Sequence, residues 1–193
     1  KTESNIWKGV TANEGEFDGF TRLLTLDAGL PAAQEVAATS TNITASATVV
    51  AELGKLVDAI PASLYGKEDL YLYISQATAR AYVRALGGFG ASGLGANGTN
   101  AQGTQWFNNG SLSFDGVKIF VANGLASNTA IAAEKSNLFF GTGLLSDQNE
   151  VQVIDMAPID GSQNVRVVMR FTAAVQYGIV EDIVTYGITN AAN

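Results

Sequence analysis

From Val165 to Tyr177 the chain alternates. Val165, Val167, Met169, Phe171, Ala173, Val175 and Tyr177 take the odd positions, with Arg166, Arg170, Thr172 and Gln176 among the even ones. A period of two predicts a β-strand with one buried and one mostly wet face. Met169 and Phe171 are then expected in the core, and Arg166 and Arg170 opposite them. At about 3.3 Å per residue the run spans roughly 43 Å, well beyond the usual strand of about 5–6 residues. A strand of that length serves as a spine for shorter pieces. Gly178 permits a break or bulge, and Ile179–Tyr186 resumes a shorter apolar run.

Two other stretches carry a helical period. Val49, Val50, Leu53, Leu56, Val57 and Ile60 make one stripe on a helix predicted over Thr44–Ile60. Thr44 or Ser46 is its candidate cap, and Pro61 stops it. Glu52, Lys55 and Asp58 fall near the other face and read as solvated. Leu70–Ile74 is a predicted strand, with Leu70, Leu72 and Ile74 on one side and Tyr71 and Tyr73 on the other. Ser75 caps a second helix, Gln76–Leu86, with Ala79, Tyr82, Val83 and Leu86 inward and Gly87-Gly88 ending it. Arg80 and Arg84 lie one turn apart on its opposite face. They read either as a wet face or as contacts for a phosphate or a neighbouring carboxylate.

The remaining patterns are shorter. Asn5–Thr25 reads as extended pieces joined by turns, Ala28–Thr44 as a loop or weak strand, and Ala130–Lys135 as one helical turn. Asp115-Gly116 between alternating runs is a strong hairpin signal within Ser111–Val121. Leu138–Phe140 and Glu150–Met156 read as strands, with turns at Asn123-Gly124 and Asp160-Gly161. The predicted fold class is α+β: a largely antiparallel sheet with two amphipathic helices and a long C-terminal spine strand.

Composition narrows the chemistry. With 193 residues, 47 % of them hydrophobic, the chain can bury one sizeable core, with or without a minor lobe. The formal charge is −7 and no run of Lys or Arg occurs, which disfavours a nucleic-acid groove. There is no cysteine and no histidine. Thiolate chemistry, the usual general base and the usual zinc ligand are therefore missing. The expected reading has no catalytic residue, no cofactor and no metal. Asp155, Asp160, Glu181 and Asp182 are the best carboxylates, but adjacent Glu181 and Asp182 would point to opposite faces of a strand. No apolar run approaches the ~20 residues that cross a bilayer, so no membrane partner is expected. Lys1–Asn5 has neither a signal-type segment nor an initiator Met, the expectation being a processed piece of something longer or a chain shortened artificially.

Gly87–Gly110 is the least core-like stretch, with glycine at 87, 88, 90, 93, 95, 98, 103 and 110. Gly88-Phe-Gly90-Ala-Ser-Gly93 has the spacing G-x-G-x-x-G. It follows a helix and lacks an acidic ribose partner, so it does not read as a dinucleotide site. A long loop or hairpin is expected, based on Phe89, Trp106 and Phe107.

The segment order resembles that of tailed-bacteriophage major capsid proteins. The resemblance rests on Ile60–Ser75 (IPASLYGKEDLYLYIS) with the helix after it, on Asp115–Leu125 (DGVKIFVANGL), on Asn137–Leu145 (NLFFGTGLL), and on Asn149–Met156 followed by Asn164–Gly187. It covers about Val49 to Gly187 and implies the Johnson fold. The extended arm, E-loop and spine helix usual in that family are not found before Thr44. The implied parts are a peripheral-lobe-like segment (1–43), an axial-domain-like lobe (44–155) and a long strand returning to the peripheral lobe (156–193). The implied function is a structural subunit of an icosahedral phage or prophage shell, located in the virion and assembled in the bacterial cytoplasm. Its partners would be copies of itself in pentamers and hexamers, other virion proteins, and packaged DNA only non-specifically. Gly93, Gly95, Asn97, Gly98 and Asn100 would form an assembly loop at the symmetry axis, and Arg80 and Arg84 would make polar contacts between subunits. No catalytic or crosslinking residue carries over. The alternative reading is a β-rich binding module of a secreted or surface protein, with Tyr71, Tyr73 and Trp106 as stacking surfaces.

Overall fold

The computed structural model describes residues 2–38, 42–86, 112–143, 150–161, 163–170 and 172–191. The chain begins with helices α1 (Thr2–Lys8) and α2 (Phe20–Leu26), the short strand β1 (Glu35–Val36), helix α3 (Val49–Asp58), strand β2 (Leu70–Ile74) and helix α4 (Gln76–Ala85). Strands β3 (Ser113–Phe114), β4 (Val117–Val121), β5 (Ala130–Glu134), β6 (Leu138–Thr142) and β7 (Glu150–Asp155) follow. A one-turn helix α5 (Ala157–Asp160) leads to β8 (Val165–Arg170), β9 (Ala173–Tyr177) and β10 (Val184–Tyr186). The class is α+β.

Six strands form the main sheet in the order β1-β10-β5-β2-β4-β3, with β1–β10 and β2–β4 parallel and the other pairs antiparallel. Side-chain alternation divides its inner strands between two cores. Leu70, Leu72 and Ile74 of β2, with Ala130 and Ala132 of β5 and Val184 and Tyr186 of β10, pack with Leu53, Leu56, Val57, Tyr82 and Val83 of α3 and α4. Tyr73, Ile131 and Ala133 point the other way, into a second core with Trp7 of α1, Phe20 and Leu24 of α2, and Val175 and Tyr177 of β9. The body is therefore three layers, with the sheet between two sets of elements.

Several expectations hold locally. The α3 stripe is buried except at Val50, and the helix stops before Pro61. Ser75 Oγ accepts the Thr78 N–H at 3.2 Å and caps α4. Asp115 and Gly116 both have positive φ, 47° and 80°, as a two-residue type I′ hairpin requires between β3 and β4. Asp160-Gly161 does turn the chain, with Gly161 left-handed at φ 74° after α5.

Others are corrected. Neither Thr44 nor Ser46 caps α3, which starts at Val49 after Thr48. Ala130–Glu134 is not a helical turn but the central strand β5. Alanine favours helices, and a strand buried on both faces shows no alternation to oppose that preference. Asn5–Thr25 holds α1 and α2 rather than extended pieces. Phe20, Leu23 and Leu24 already had helical spacing, which the surrounding glycines obscured. Ala28–Thr44, by contrast, is the loop or weak strand expected: its described residues hold the two-residue β1 and two 3-10 turns. Val180–Asp182 is a 3-10 turn, so the strand argument for Glu181 and Asp182 does not apply.

The alternating run Val165–Tyr177 is also not one uniform strand. β8 pairs with β7 and β9 with β6, in two separate antiparallel ladders. Val175 and Tyr177 are buried, whereas Val165 and Val167 on the same alternating set are exposed. Alternation shows which residues share a face. Burial needs a second layer over that face, and among the described residues only the β9 end has one. The side chains of Met169, Phe171 and Arg170 lie outside the described residues; Arg166 is exposed.

Candidate functional site

The most distinctive surface is where the β-ribbon leaves the body. Its root is held by Asn137, which is buried between β5 and β6. Asn137 Oδ1 accepts the N–H groups of Gly178 at 3.0 Å and Ile179 at 2.8 Å. Its Nδ2 donates to the Ile179 carbonyl at 2.7 Å. One side chain thus ties down the backbone just past β9, beside the backbone bond from the Gly178 N–H to the Asn137 carbonyl at 3.1 Å. Beside it, the Tyr177 hydroxyl donates to Asp27 Oδ2 at 2.6 Å. That bond and the Gly29 N–H hold the Asp27 carboxyl below its usual range. Burial, then the hydrogen bond to Asp27 and the charge of that carboxylate, push the Tyr177 phenol up. Asn190 closes the far side, donating to the carbonyls of Leu24 and Asp27 at 2.8 and 2.6 Å.

Beyond this root the ribbon is bare. Phe139 and Phe140 of β6 are about half exposed. In the β7–β8 ladder Val153 pairs with Val167, and Asp155 with Val165. Val153, Val165 and Val167 share one face with Asp155 and are 67, 61 and 54 % exposed. The other face carries Gln152, Ile154, Arg166 and Val168, of which Ile154 and Val168 are half-buried. β7 and β8 contact chiefly each other. A contiguous apolar face of this kind marks an interaction surface more often than an isolated exposed side chain does.

No protein-family model matches this chain, and no curated protein matches it in sequence.

Arg80 and Arg84 are exposed on α4, as expected, and among the described residues neither guanidinium has a carboxylate within 4 Å. The loop residues Gly93, Gly95, Asn97, Gly98 and Asn100, and the G-x-G-x-x-G stretch, lie outside the described residues. Tyr73 offers no stacking surface. It is buried against Trp7, with ring centroids 5.2 Å apart, and burial pushes its hydroxyl up to about 12. Tyr71 is half-buried with Lys118 Nζ 5.8 Å from its ring centre, and Trp106 lies outside the described residues.

An open cleft of about 410 Å³ lies between Tyr65–Leu70 and Gly116–Lys118. Its cations are already engaged: Lys67 with Glu134 at 2.8 Å, and Lys118 with the Glu68 carbonyl at 3.4 Å. The four candidate carboxylates are dispersed, with Asp155 and Asp160 on the ribbon and Glu181 and Asp182 in the turn before β10. Among the described residues no three side chains of metal-ligating type come together, and no helix is long and apolar enough to cross a membrane.

Sequence reasoning missed Asn137 and the exposed valine face. Nothing marks a lone Asn as a clamp, since its partners are about 40 residues away. The alternation puts Val165 and Val167 on the face expected to be buried, and nothing in it assigns a face to Val153. The available warning was Ile154 and Val168, apolar residues on the supposedly wet face.

Proposed function

We propose that this chain is a structural, non-catalytic subunit of an icosahedral phage shell. In this reading it meets copies of itself in pentamers and hexamers, resides in the virion and is assembled in the bacterial cytoplasm. The observation that carries the reading is the ribbon. A three-layer α+β body extends into two β-ladders that expose Phe139, Phe140, Val153, Val165 and Val167. A catalytic or ligand-binding protein has no need of such an extension, whereas a subunit whose neighbours complete its fold does. The order of segments, from the Leu70–Ile74 strand and its helix to the C-terminal β-run, supports the same reading through its resemblance to major capsid proteins. Arg80 and Arg84, without a carboxylate partner in their own described chain, are available to an acidic neighbour.

Negative-stain electron microscopy and sedimentation test the proposal. Closed shells or rings of five and six copies are the expected result. A protein that stays monomeric at high micromolar concentration, with no particles on the grid, overturns it.

A further inference from the structure

We infer that Asn123 is a site of spontaneous covalent modification: the backbone nitrogen of Gly124 attacks its side-chain amide, and the rearranged product releases helix α1. Residues 122–125 form a β-turn, in which the Leu125 N–H donates to the Ala122 carbonyl at 3.1 Å. Asn123 and Gly124 are the two central residues of that turn. Asn123 is exposed, and its side chain makes no hydrogen bond among the described residues. The Gly124 N–H has no acceptor there either. Electrophile and nucleophile are therefore both unengaged, and glycine puts no side chain in the way of ring closure. Asparagine is among the chemically labile residues, and a following glycine is the neighbour that hinders the attack least.

The packing keeps this labile pair in place. A Cβ on Gly124 would press into the Glu3 carbonyl and come within 2.8 Å of the Ser4 Cα, so the close approach of α1 requires glycine. Ring closure forms a bond from Gly124 N to Asn123 Cγ. It expels the side-chain nitrogen as ammonia, which takes the proton of the Gly124 amide. Water then opens the cyclic imide. Hydrolysis at Cγ leaves aspartate; hydrolysis at the backbone carbonyl leaves isoaspartate, whose main chain is longer by one methylene. Either product adds a negative charge to a chain that already carries −7. Isoaspartate also shifts Gly124 against Glu3 and Ser4, where backbone meets backbone and no rotamer change can absorb the shift. Helix α1 has 7 residues, too few to persist without its docking contacts.

The test ages the protein at mildly alkaline pH and physiological temperature, then maps tryptic peptides by mass spectrometry. Peptide 119–135 carries Asn123 together with Asn128, which precedes Thr129 and serves as the internal reference. The expected result is that Asn123 converts at least tenfold faster than Asn128, with isoaspartate the main product. Amide exchange across α1 should quicken in proportion to the isoaspartate fraction. Asn123→Gln should keep slow exchange through the same ageing, and so should Asn123→Asp, which adds the charge without the longer backbone. Conversion of Asn123 no faster than Asn128, or only in the urea-unfolded chain, overturns the modification site. Full conversion with α1 exchange unchanged overturns the release of the helix, as does equal quickening in aged Asn123→Gln.

Discussion

Tyr186, in a central strand of the main sheet, donates its hydroxyl to Glu52 Oε2 on α3 at 2.6 Å, across 134 residues of sequence. Glu52 is only 5 % exposed. Its other oxygen lies 2.7 Å from Lys55 Nζ, and the lysine reaches to solvent. The pair joins helix layer to sheet through one buried carboxylate. Burial raises the Glu52 carboxyl, but hydrogen bonds from Lys55 and Tyr186, together with the Lys55 charge, outweigh burial and leave it lowered.

Tyr186→Phe keeps the packed ring and removes that bond. Hydrogen bonds to charged groups contribute about 1.5–3 kcal/mol, so the unfolding free energy is expected to fall by roughly that amount. A urea melt measures it. A loss below about 0.5 kcal/mol would show that Glu52 is satisfied without Tyr186.

Glu52 and Asp27 together set an acid limit. Both carboxyls lie below their ordinary values in the folded protein. Each therefore contributes stability that is fully present above its unfolded pKa of about 4 and lost as pH falls through the lowered folded value. The expected melt is flat from about pH 7 to 5 on account of these two groups and declines below about pH 4. Glu52→Gln with Asp27→Asn should shallow that decline. An unchanged acid limb in the double variant assigns it to other carboxylates.

Asn137→Ala deletes all three side-chain bonds at the root of the ribbon. At roughly 1 kcal/mol per bond, with Gly178 and Ile179 exposed and the Gly178 N–H still bonded to the Asn137 backbone carbonyl, a loss of about 1–3 kcal/mol is expected. Amide exchange should quicken first at Gly178 and Ile179. Uniform quickening across the whole sheet would instead make Asn137 part of the global core.

Gly124 closes against the first helix. A Cβ there would press into the Glu3 carbonyl and within 2.8 Å of the Ser4 Cα, both backbone atoms that a rotamer change cannot move. Gly124→Ala is expected to loosen α1, exposing Trp7 and shifting its fluorescence to the red. Unchanged Trp7 emission would mean that the chain relaxes there at little cost.

Local patterns read correctly wherever the deciding interaction lies within a few residues. The α3 stripe, the Ser75 cap, the Asp115-Gly116 hairpin and the opposed faces of Leu70–Ile74 are all of this kind. Composition alone likewise set aside thiolate and histidine chemistry. Failures occurred where a distant partner overrides the local preference. Glu52 has the spacing of a solvated helix face, yet Tyr186 arrives from the far end of the chain and its hydroxyl stabilises the buried charge.

Periodicity and capping act over one or two turns of chain, so the α+β class, the places of two main helices and the period of the C-terminal strands are legible without any tertiary contact. Which face of each element is covered depends on contacts between distant parts of the chain. Ala130–Glu134 becomes a central strand because β2 and β10 flank it, against the helical preference of its alanines. Val175 is buried and Val167 bare although both stand on the same alternating set, because α2 and the sheet lie over β9 and no layer among the described residues lies over β8. Burial is a property of what packs against a face, and that partner is brought in by long-range topology rather than by the pattern of the face itself.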